Sequence, residues 1–452
     1  MALLHRAGVP ASALQLLPGD GAVVGAALTS DPRVCGVCFT GSTETARIIR
    51  KAMADNLDPG APLIAETGGL NAMIVDSTAL PEQAVRDIVA SAFQSAGQRC
   101  SALRCLYVQD DIAARFTDML FGAMDELRID DPWHLATDVG PVIDAEAEAT
   151  IRDHVEKARA NGRLLHELQR PGKGNFIAPA VLRVNGIADL EREIFGPVLH
   201  VATFESEQLA QVVNAINSTG YGLTFGLHTR IDGRVQEVTD ALHTGNIYVN
   251  RNQIGAVVGS QPFGGEGLSG TGPKAGGPDY LARFTRPGPV ASAVTAKATG
   301  AADTGAVQRA LDAAAATTGR VLARSDLPGP TGESNRLSQI VRAPFLCLGP
   351  GAENEAEQLR AVAAAGGQAV AAGGSIAPEA LASLRGLSGA IWWGDDTTAR
   401  ALARALASRP GPILPLVTAM PDRAHVVHER HLCVDTTASG GNAELLAAAG
   451  SA

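Results

Sequence analysis

The chain predicts an α/β fold: mostly parallel sheets, followed by a smaller α/β domain at the C-terminal end. Three observations carry this. Short runs of small and β-branched apolar residues alternate with segments of helical apolar spacing, joined by brief Gly- and Pro-bearing turns. The rhythm breaks at 286–302, a Pro/Ala/Thr-rich stretch of linker character, and then resumes. At roughly 150 residues per domain, a chain of 452 has room for two to four cores.

Taken in order, residues 21–29 read as a helix. VCGVCFT (34–40) reads as a short buried strand ended by Gly41, and STETARIIRKAM continues with helical spacing. PLIAET (62–67) reads as a second strand, stopped by Gly68 and Gly69. A helix over 82–96, a strand over 103–109 and a helix over 111–125 follow, then a Pro/Asp-rich loop around Trp133. Strands lie within 175–204 and a helix over 206–217. Beyond the linker come an Ala-rich helix (303–318), the turn-rich LPGPTGESN (327–335) and FLCLGPG (345–351), a strand entering a Gly turn. A helix over 353–365, strands at AIWW and PILPLV and the extended VVHERHLCVD complete the chain's regular elements.

Acidic residues outnumber basic ones, 47 to 37, with no basic block, which argues against nucleic acid or an anionic membrane as main partner. Aromatic residues make up only 4%, so the cores must be built from Ala, Val, Leu and Ile. No apolar run approaches the ~20 residues of a transmembrane span, and MALLHRAGVP has no signal-peptide core. A cytoplasmic protein is expected. Six cysteines in a chain of this length form no disulfide framework.

Four short motifs carry candidate chemistry. In GQRC (97–100), glycine and small polar neighbours let a turn present a thiol and its own N–H to one carbonyl. Cys100 would attack as thiolate, activated by positive potential or a helix N-terminus, or it is simply a buried small hydrophobe. In AETGG, 34 residues earlier, Glu66 sits at a strand end where water can approach, as a general base or a solvated surface group. FTGST (39–43) places Ser42 and Thr43 at a helix N-terminus that suits a pyrophosphate, although a Ser cap alone would explain them. In EIFGPV (193–198), extended backbone puts Glu193 and Phe195 on one face, to hold ribose hydroxyls and pack a nicotinamide, or they form an ordinary strand entry.

These four motifs, in this order and spacing, resemble the aldehyde dehydrogenase superfamily. Residues 65–104 and 250–278 are similar to its glutamate-semialdehyde (pyrroline-5-carboxylate) dehydrogenase branch, in the form found as a module of bifunctional bacterial proline-utilization proteins. The resemblance runs over about residues 3–285 and continues less sharply to the C-terminus. It implies NAD as cofactor and oxidation of L-glutamate γ-semialdehyde to glutamate. It assigns Cys100 as nucleophile, Glu66 as hydrolytic base, Ser42 and Thr43 at the pyrophosphate, and Glu193 and Phe195 at the nicotinamide ribose and ring. Ser101, Gly255, Ala256 and Phe263 would anchor the amino-acid end of the substrate.

The same resemblance divides the chain into the remaining half of an NAD-binding domain (1–66), a catalytic domain (67–285), a linker (286–302) and a C-terminal α/β domain with a terminal flap (303–452). It places the opening strands of the nucleotide fold, an Asn donor to the oxyanion and a proline dehydrogenase barrel ahead of this sequence. The chain is therefore expected to be truncated, without an FAD site, and inactive and poorly stable alone. A non-catalytic remnant, or a partner-completed fragment serving as a lid or interaction domain, is the alternative. A CoA-dependent acyl transfer is disfavoured, because it needs no hydrolytic base.

Other features weigh less. Cys35 and Cys38 form a C-x-x-C that reads as part of a strand, where i and i+3 face apart. His425, His428 and His431 read as a solvated strand edge, and no metal site is expected. FLCLGPG is similar to a dinucleotide turn but lacks its third glycine, so the C-terminal domain is expected to be Rossmann-like without a nucleotide.

Overall fold

A computed structural model describes residues 1–285 and 300–437. Most of the expected linker and the tail of the expected flap therefore lie outside the described residues. Short helical turns open the chain, and the helix expected over 21–29 is a five-residue π turn, Gly21–Gly25, running into Ala26–Thr29. Strand β1 (Val37–Gly41) and strand β2 (Leu63–Thr67) pair in parallel, joined by helix α1 (Thr43–Asn56) as their crossover. Ser42 caps α1 by accepting a hydrogen bond from the Thr45 N–H at 3.1 Å. Cys35 precedes β1 rather than lying in it, and both Cys35 and Cys38 are exposed free thiols.

The central element is a ten-stranded sheet. In chain order its first seven strands are β3 (Ala72–Val75), β4 (Cys105–Gln109), β5 (Leu164–Glu167), β6 (Ala180–Arg183), β7 (Val198–Phe204), β8 (Thr224–His228) and β9 (Asn246–Val249). Three further strands come from the region read as a separate domain: β10 (Val321–Leu327), β11 (Glu333–Val341) and, much later, Val427–Asp435. Across the sheet the order is β10, β11, the strand Val427–Asp435, β9, β8, β3, β4, β7, β6, β5. Its centre is parallel, as buried near-continuous apolar strands require.

Helices α2 (Pro81–Phe93), α3 (Asp110–Asp125) and α4 (Ala145–Ala160) cover one face through Ile88, Phe116, Leu120 and Ile151. Helices α5 (Leu209–Ser218) and α6 (Asp232–Ala241) cover the other through Val213, Ile216 and Val238. A four-stranded parallel sheet with its own core makes a second unit. Its strands are β12 (Phe345–Cys347), β13 (Ala369–Ala371), β14 (Gly389–Ile391) and β15 (Leu416–Val417), in the order β13, β12, β14, β15. The helix Asp396–Ala407 of this unit packs on α1, and its Arg404 pairs with Asp55 at 2.7 Å.

The strand Val427–Asp435 is labelled β16 below. Its Val427, Glu429, His431 and Cys433 alternate inward, the period of a strand inside a sheet. The solvated edge expected for the three histidines is thus overturned. His428 and His431 lie on β16 between β11 and β9, and His431 has no exposed surface. His425 sits just before, in the short turn Arg423–Val426. Among the described residues, no helix is long and apolar enough to cross a membrane, and no cluster of His, Cys, Asp and Glu could hold a metal ion.

Candidate active site

Helix α2 ends at Phe93, three residues before the expected boundary, because the backbone turns left-handed. Ser95 (φ 57°), Ala96 (φ 53°) and Gly97 (φ 65°) follow one another in that region. The first two are strained for side-chain-bearing residues. At Gly97 a Cβ would lie 2.1 Å from the Gly196 carbonyl oxygen, so the close approach needs glycine. The turn is held from two sides. Asn71 Nδ2 donates to the Cys100 and Ala102 carbonyls at 2.7 and 2.9 Å. Fully buried Arg104 donates to the Gly97 carbonyl at 2.8 Å and the Arg99 carbonyl at 3.1 Å.

This turn presents Cys100, partly exposed, to a cleft. Burial pushes its thiol up, and the charges acting on it, Glu193 and Glu66, push the same way, while the Ser101 and Cys100 N–H groups lower it. The positive potential expected to activate it is not what surrounds it, and no helix begins at Cys100. Its thiolate is favoured by backbone N–H groups alone.

Glu66, at the end of β2, is no solvated surface group. Burial pushes its carboxyl up to about 8, opposed by the Gly265 N–H, which donates to Oε2 at 3.2 Å, and by Lys274. Its Oε1 is buried with no hydrogen-bond partner among the described residues. Lys274 is itself buried and held down to about 8. It donates to Asn246 Oδ1 at 2.9 Å and to the Gly264 carbonyl at 2.5 Å. The Gly264–Gly265 peptide therefore faces the ammonium with its C=O and the carboxylate with its N–H.

Opposite these groups, Glu193 Oε1 accepts two hydrogen bonds from Arg104, at 2.9 and 3.2 Å. The Arg104 guanidinium lies 5.3 Å from the centre of the Phe195 ring, which stays 45% exposed. A Cβ at Gly68 would overlap the Glu193 carboxylate, so the ETGG glycine makes room for it. Ser42 and Thr43, at the N-terminus of the 14-residue α1, close the far end.

One cavity of about 800 Å³ joins Ser42, Thr43, Glu66, Cys100, Ser101, Glu193, Phe195, Ala256 and Phe263. Gly255 does not line it. That residue takes φ +71°, and a Cβ added there would meet only Arg99 Nη1, at 3.9 Å. Phe263 is fixed by paired backbone hydrogen bonds with Ala275 at 2.8 and 3.0 Å. Sequence reasoning missed Arg104, Asn71, Lys274 and Arg99. Only Arg104 left a trace, as a charged residue entering an otherwise apolar strand.

The site can bind an elongated ligand with an anionic group at α1, hold a ring beside Phe195 and bring a carbonyl to Cys100. Comparison with known proteins agrees with that shape. The family described as "Aldehyde dehydrogenase family" matches residues 1–290. The bifunctional protein PutA of Salmonella typhimurium is 44% identical over 508 aligned positions, covering 99% of this chain and 38% of that protein. The 1-pyrroline-5-carboxylate dehydrogenase of Geobacillus thermodenitrificans is 39% identical over 287 positions, 62% of this chain and 55% of that one. Among solved structures, a PutA variant from Bradyrhizobium japonicum superposes with TM-score 0.61 at 56% identity, over 63% of this chain and 29% of that one. A Thermus 1-pyrroline-5-carboxylate dehydrogenase with bound NAD gives 0.58 at 36% identity, over 63% of this chain and 55% of that one. The chain spans about two-fifths of the length of the PutA proteins it matches. With residues 1–290 matched and the thiol, carboxylate and anion-binding helix end meeting in one cleft, this chain belongs to the aldehyde dehydrogenase family.

Proposed function

We propose that this chain carries the site for NAD-dependent oxidation of L-glutamate γ-semialdehyde to L-glutamate. The observation that carries the reading is the convergence of Cys100, Glu66, Glu193 and Phe195 on one cavity that ends at the N-terminus of α1. The residues present suit NAD. The α1 terminus offers unpaired N–H groups to a pyrophosphate, Glu193 offers a carboxylate to ribose hydroxyls, and the exposed Phe195 ring offers a flat apolar wall. When bound, NAD supplies the acceptor for the hydride.

This chain's residues supply the rest. Cys100 Sγ forms a bond to the aldehyde carbon, and the oxygen gains a negative charge and accepts a hydrogen bond that the Cys100 N–H can donate. Loss of hydride from that carbon leaves a thioester. Glu66 then takes a proton from water, whose oxygen bonds to the acyl carbon as the C–S bond breaks and the thiolate returns. The Gly265 N–H holds the carboxylate in the interval. Ser101, Ala256 and Phe263, which line the same cavity, receive the amino-acid end in this reading.

Assaying NADH formation by the 452-residue chain with the semialdehyde tests this directly; no turnover and no NAD binding would reject it for this chain. One observation favours a second reading. Among the described residues β1 pairs only with β2, and Cys38, Thr40 and Gly41 along it are exposed, so its outer edge is open there. In that reading the chain acts only when another segment completes this edge, such as the part of PutA proteins that this chain does not span. NAD affinity that appears on adding that part distinguishes the two. We read the four-stranded unit as Rossmann-like and free of nucleotide, since FLCLGPG lacks the third glycine.

A further inference from the structure

A second cavity, of about 40 Å³, lies where α1, the entry to β2, the Thr271–Gly272 turn and the four-stranded unit meet. Its charged lining is cationic: Arg50, Arg283 and Arg342, with His425 beside them. Arg50 and Arg342 are more than nine-tenths buried. Among the described residues, neither has a carboxylate within salt-bridge distance. Buried charges are ordinarily paired, and an unpaired one is unfavourable.

The arginines use only part of their donor set on the protein. Arg50 Nη2 donates to the Leu414 carbonyl at 3.3 Å, and its Nε is buried with no partner among the described residues. Arg342 Nε and Nη2 donate to the Val427 and Thr271 carbonyls at 3.0 and 3.1 Å. Arg283 Nη1 donates to His425 Nε2 at 2.6 Å, and the other ring nitrogen of His425 meets Asp422 Oδ1 at 2.7 Å. That relay lets Asp422 balance Arg283. Glu266, Glu429 and Asp279 are the other acids nearby: Arg430 pairs with Glu266, the Lys274 N–H donates to Glu429 Oε2, and Asp279 hydrogen-bonds with Glu429. Among the described residues no carboxylate acts on Arg50, and Arg342 is offset only from beyond salt-bridge distance, by Glu266, Glu429 and Asp422; burial holds both down to about 10.

We propose that this cavity binds a small tetrahedral oxyanion, inorganic phosphate or sulfate, gripped between Arg50 and Arg342. A guanidinium presents a planar fork that matches such an anion, and a desolvated one gains most from it. One water needs ~10–15 Å³ of such space, so the cavity holds a few waters or one oxyanion, and an ester-linked headgroup or nucleotide does not fit. The lining comes from both units, so the anion joins the four-stranded unit to the strand pair carrying Ser42 and Glu66. This is independent of the dehydrogenase reading.

The test is calorimetric titration of the 452-residue chain with inorganic phosphate, with chloride at matched ionic strength as control, on wild type, Arg50→Gln and Arg342→Gln. Wild type binds phosphate saturably with a rise in Tm, and each variant loses about tenfold or more in affinity. Phosphate bound at the α1 terminus instead would be unaffected by either substitution, and that result overturns the proposal. So does a wild type that responds to phosphate no more than to chloride. If both variants fail to fold, crystals of wild type soaked in tungstate decide. A peak between Arg50 and Arg342 supports the site, and its absence rejects it.

Discussion

Cys100 and Glu66 meet in one cavity, and in the proposed reaction they have opposite needs: the thiol loses a proton early and the carboxyl takes one late. Replacing Cys100 with Ala should remove aldehyde oxidation while leaving NAD affinity within about twofold, because Ser42, Glu193 and Phe195 are untouched. Retained steady-state turnover in the purified variant would refute the assignment. Glu66→Gln should leave a burst of NADH and stall hydrolysis, by about 10²–10⁴ in rate if the base acts as general bases usually do. With Glu66 pushed up to about 8, the ionised base is scarce below that value, so thioester hydrolysis should accelerate as pH rises through it. A hydrolysis rate that is flat between pH 6 and 9 would mean that Glu66 does not titrate there. The residue scale was the most legible in the sequence. Nine of the ten residues proposed from GQRC, AETGG, FTGST, EIFGPV and the 255–263 loop line one cavity, because each motif keeps its side chains within a few positions of a turn. The roles of Arg104 and Lys274 were not legible: Arg104 showed only as a charge entering an apolar strand, its partner Glu193 lies 89 positions away, and nothing local marks Lys274 as the residue whose ammonium meets the Gly264 carbonyl.

The elements were legible where one period ruled. Strand–glycine–helix at 37–56, α3 and the strand at 198–204 came out within a few residues. They failed where backbone strain or long-range pairing decided. Apolar spacing extends α2 through Ala96, but the left-handed run at Ser95–Gly97 ends it. LPGPTGESN read as a turn without its strands, because β10 is largely exposed and shows no apolar alternation. The strained turn yields its own prediction. Gly97→Ala puts a methyl group 2.1 Å from the Gly196 oxygen and should cost about 1–3 kcal/mol, seen as a lower urea midpoint. It should also weaken NAD binding, since Gly196 adjoins Phe195. A variant with unchanged stability and affinity would show that the turn relaxes freely.

For the whole molecule, charge state and strand order both matter. His228 and His431 are held by burial down to about 3, and His200 to about 4. Each stays neutral when folded and protonates near 6.5 when unfolded, so the unfolded state binds more protons between those limits. Stability should therefore be full above about 6.5 and fall as pH drops toward 4. Glu66, raised to about 8, and Asp87, raised to about 6, act with the opposite sign, as do Glu193, Asp279, Glu355 and Glu429, which burial also raises. His154, His243, His425 and His428, lowered by burial, add to the imidazole side and keep it the larger. A urea midpoint equal at pH 7 and pH 5 would contradict this. Here the sequence was least informative: the domain boundary at 303 separated strands that share one sheet, because pairing between β9 and β16 spans too much chain for any local signal.

That pairing has a consequence for synthesis. β9 is complete at Val249, but the strand that covers its edge begins at Val427, so a ribosome finishes the catalytic strands long before their neighbour exists. During that interval the nascent chain offers an apolar, hydrogen-bond-hungry border to chaperones or to other nascent copies. Productive folding must wait for, or be protected until, the emergence of the VHERHLCVD segment, and a translational pause between these two points would prolong the exposure.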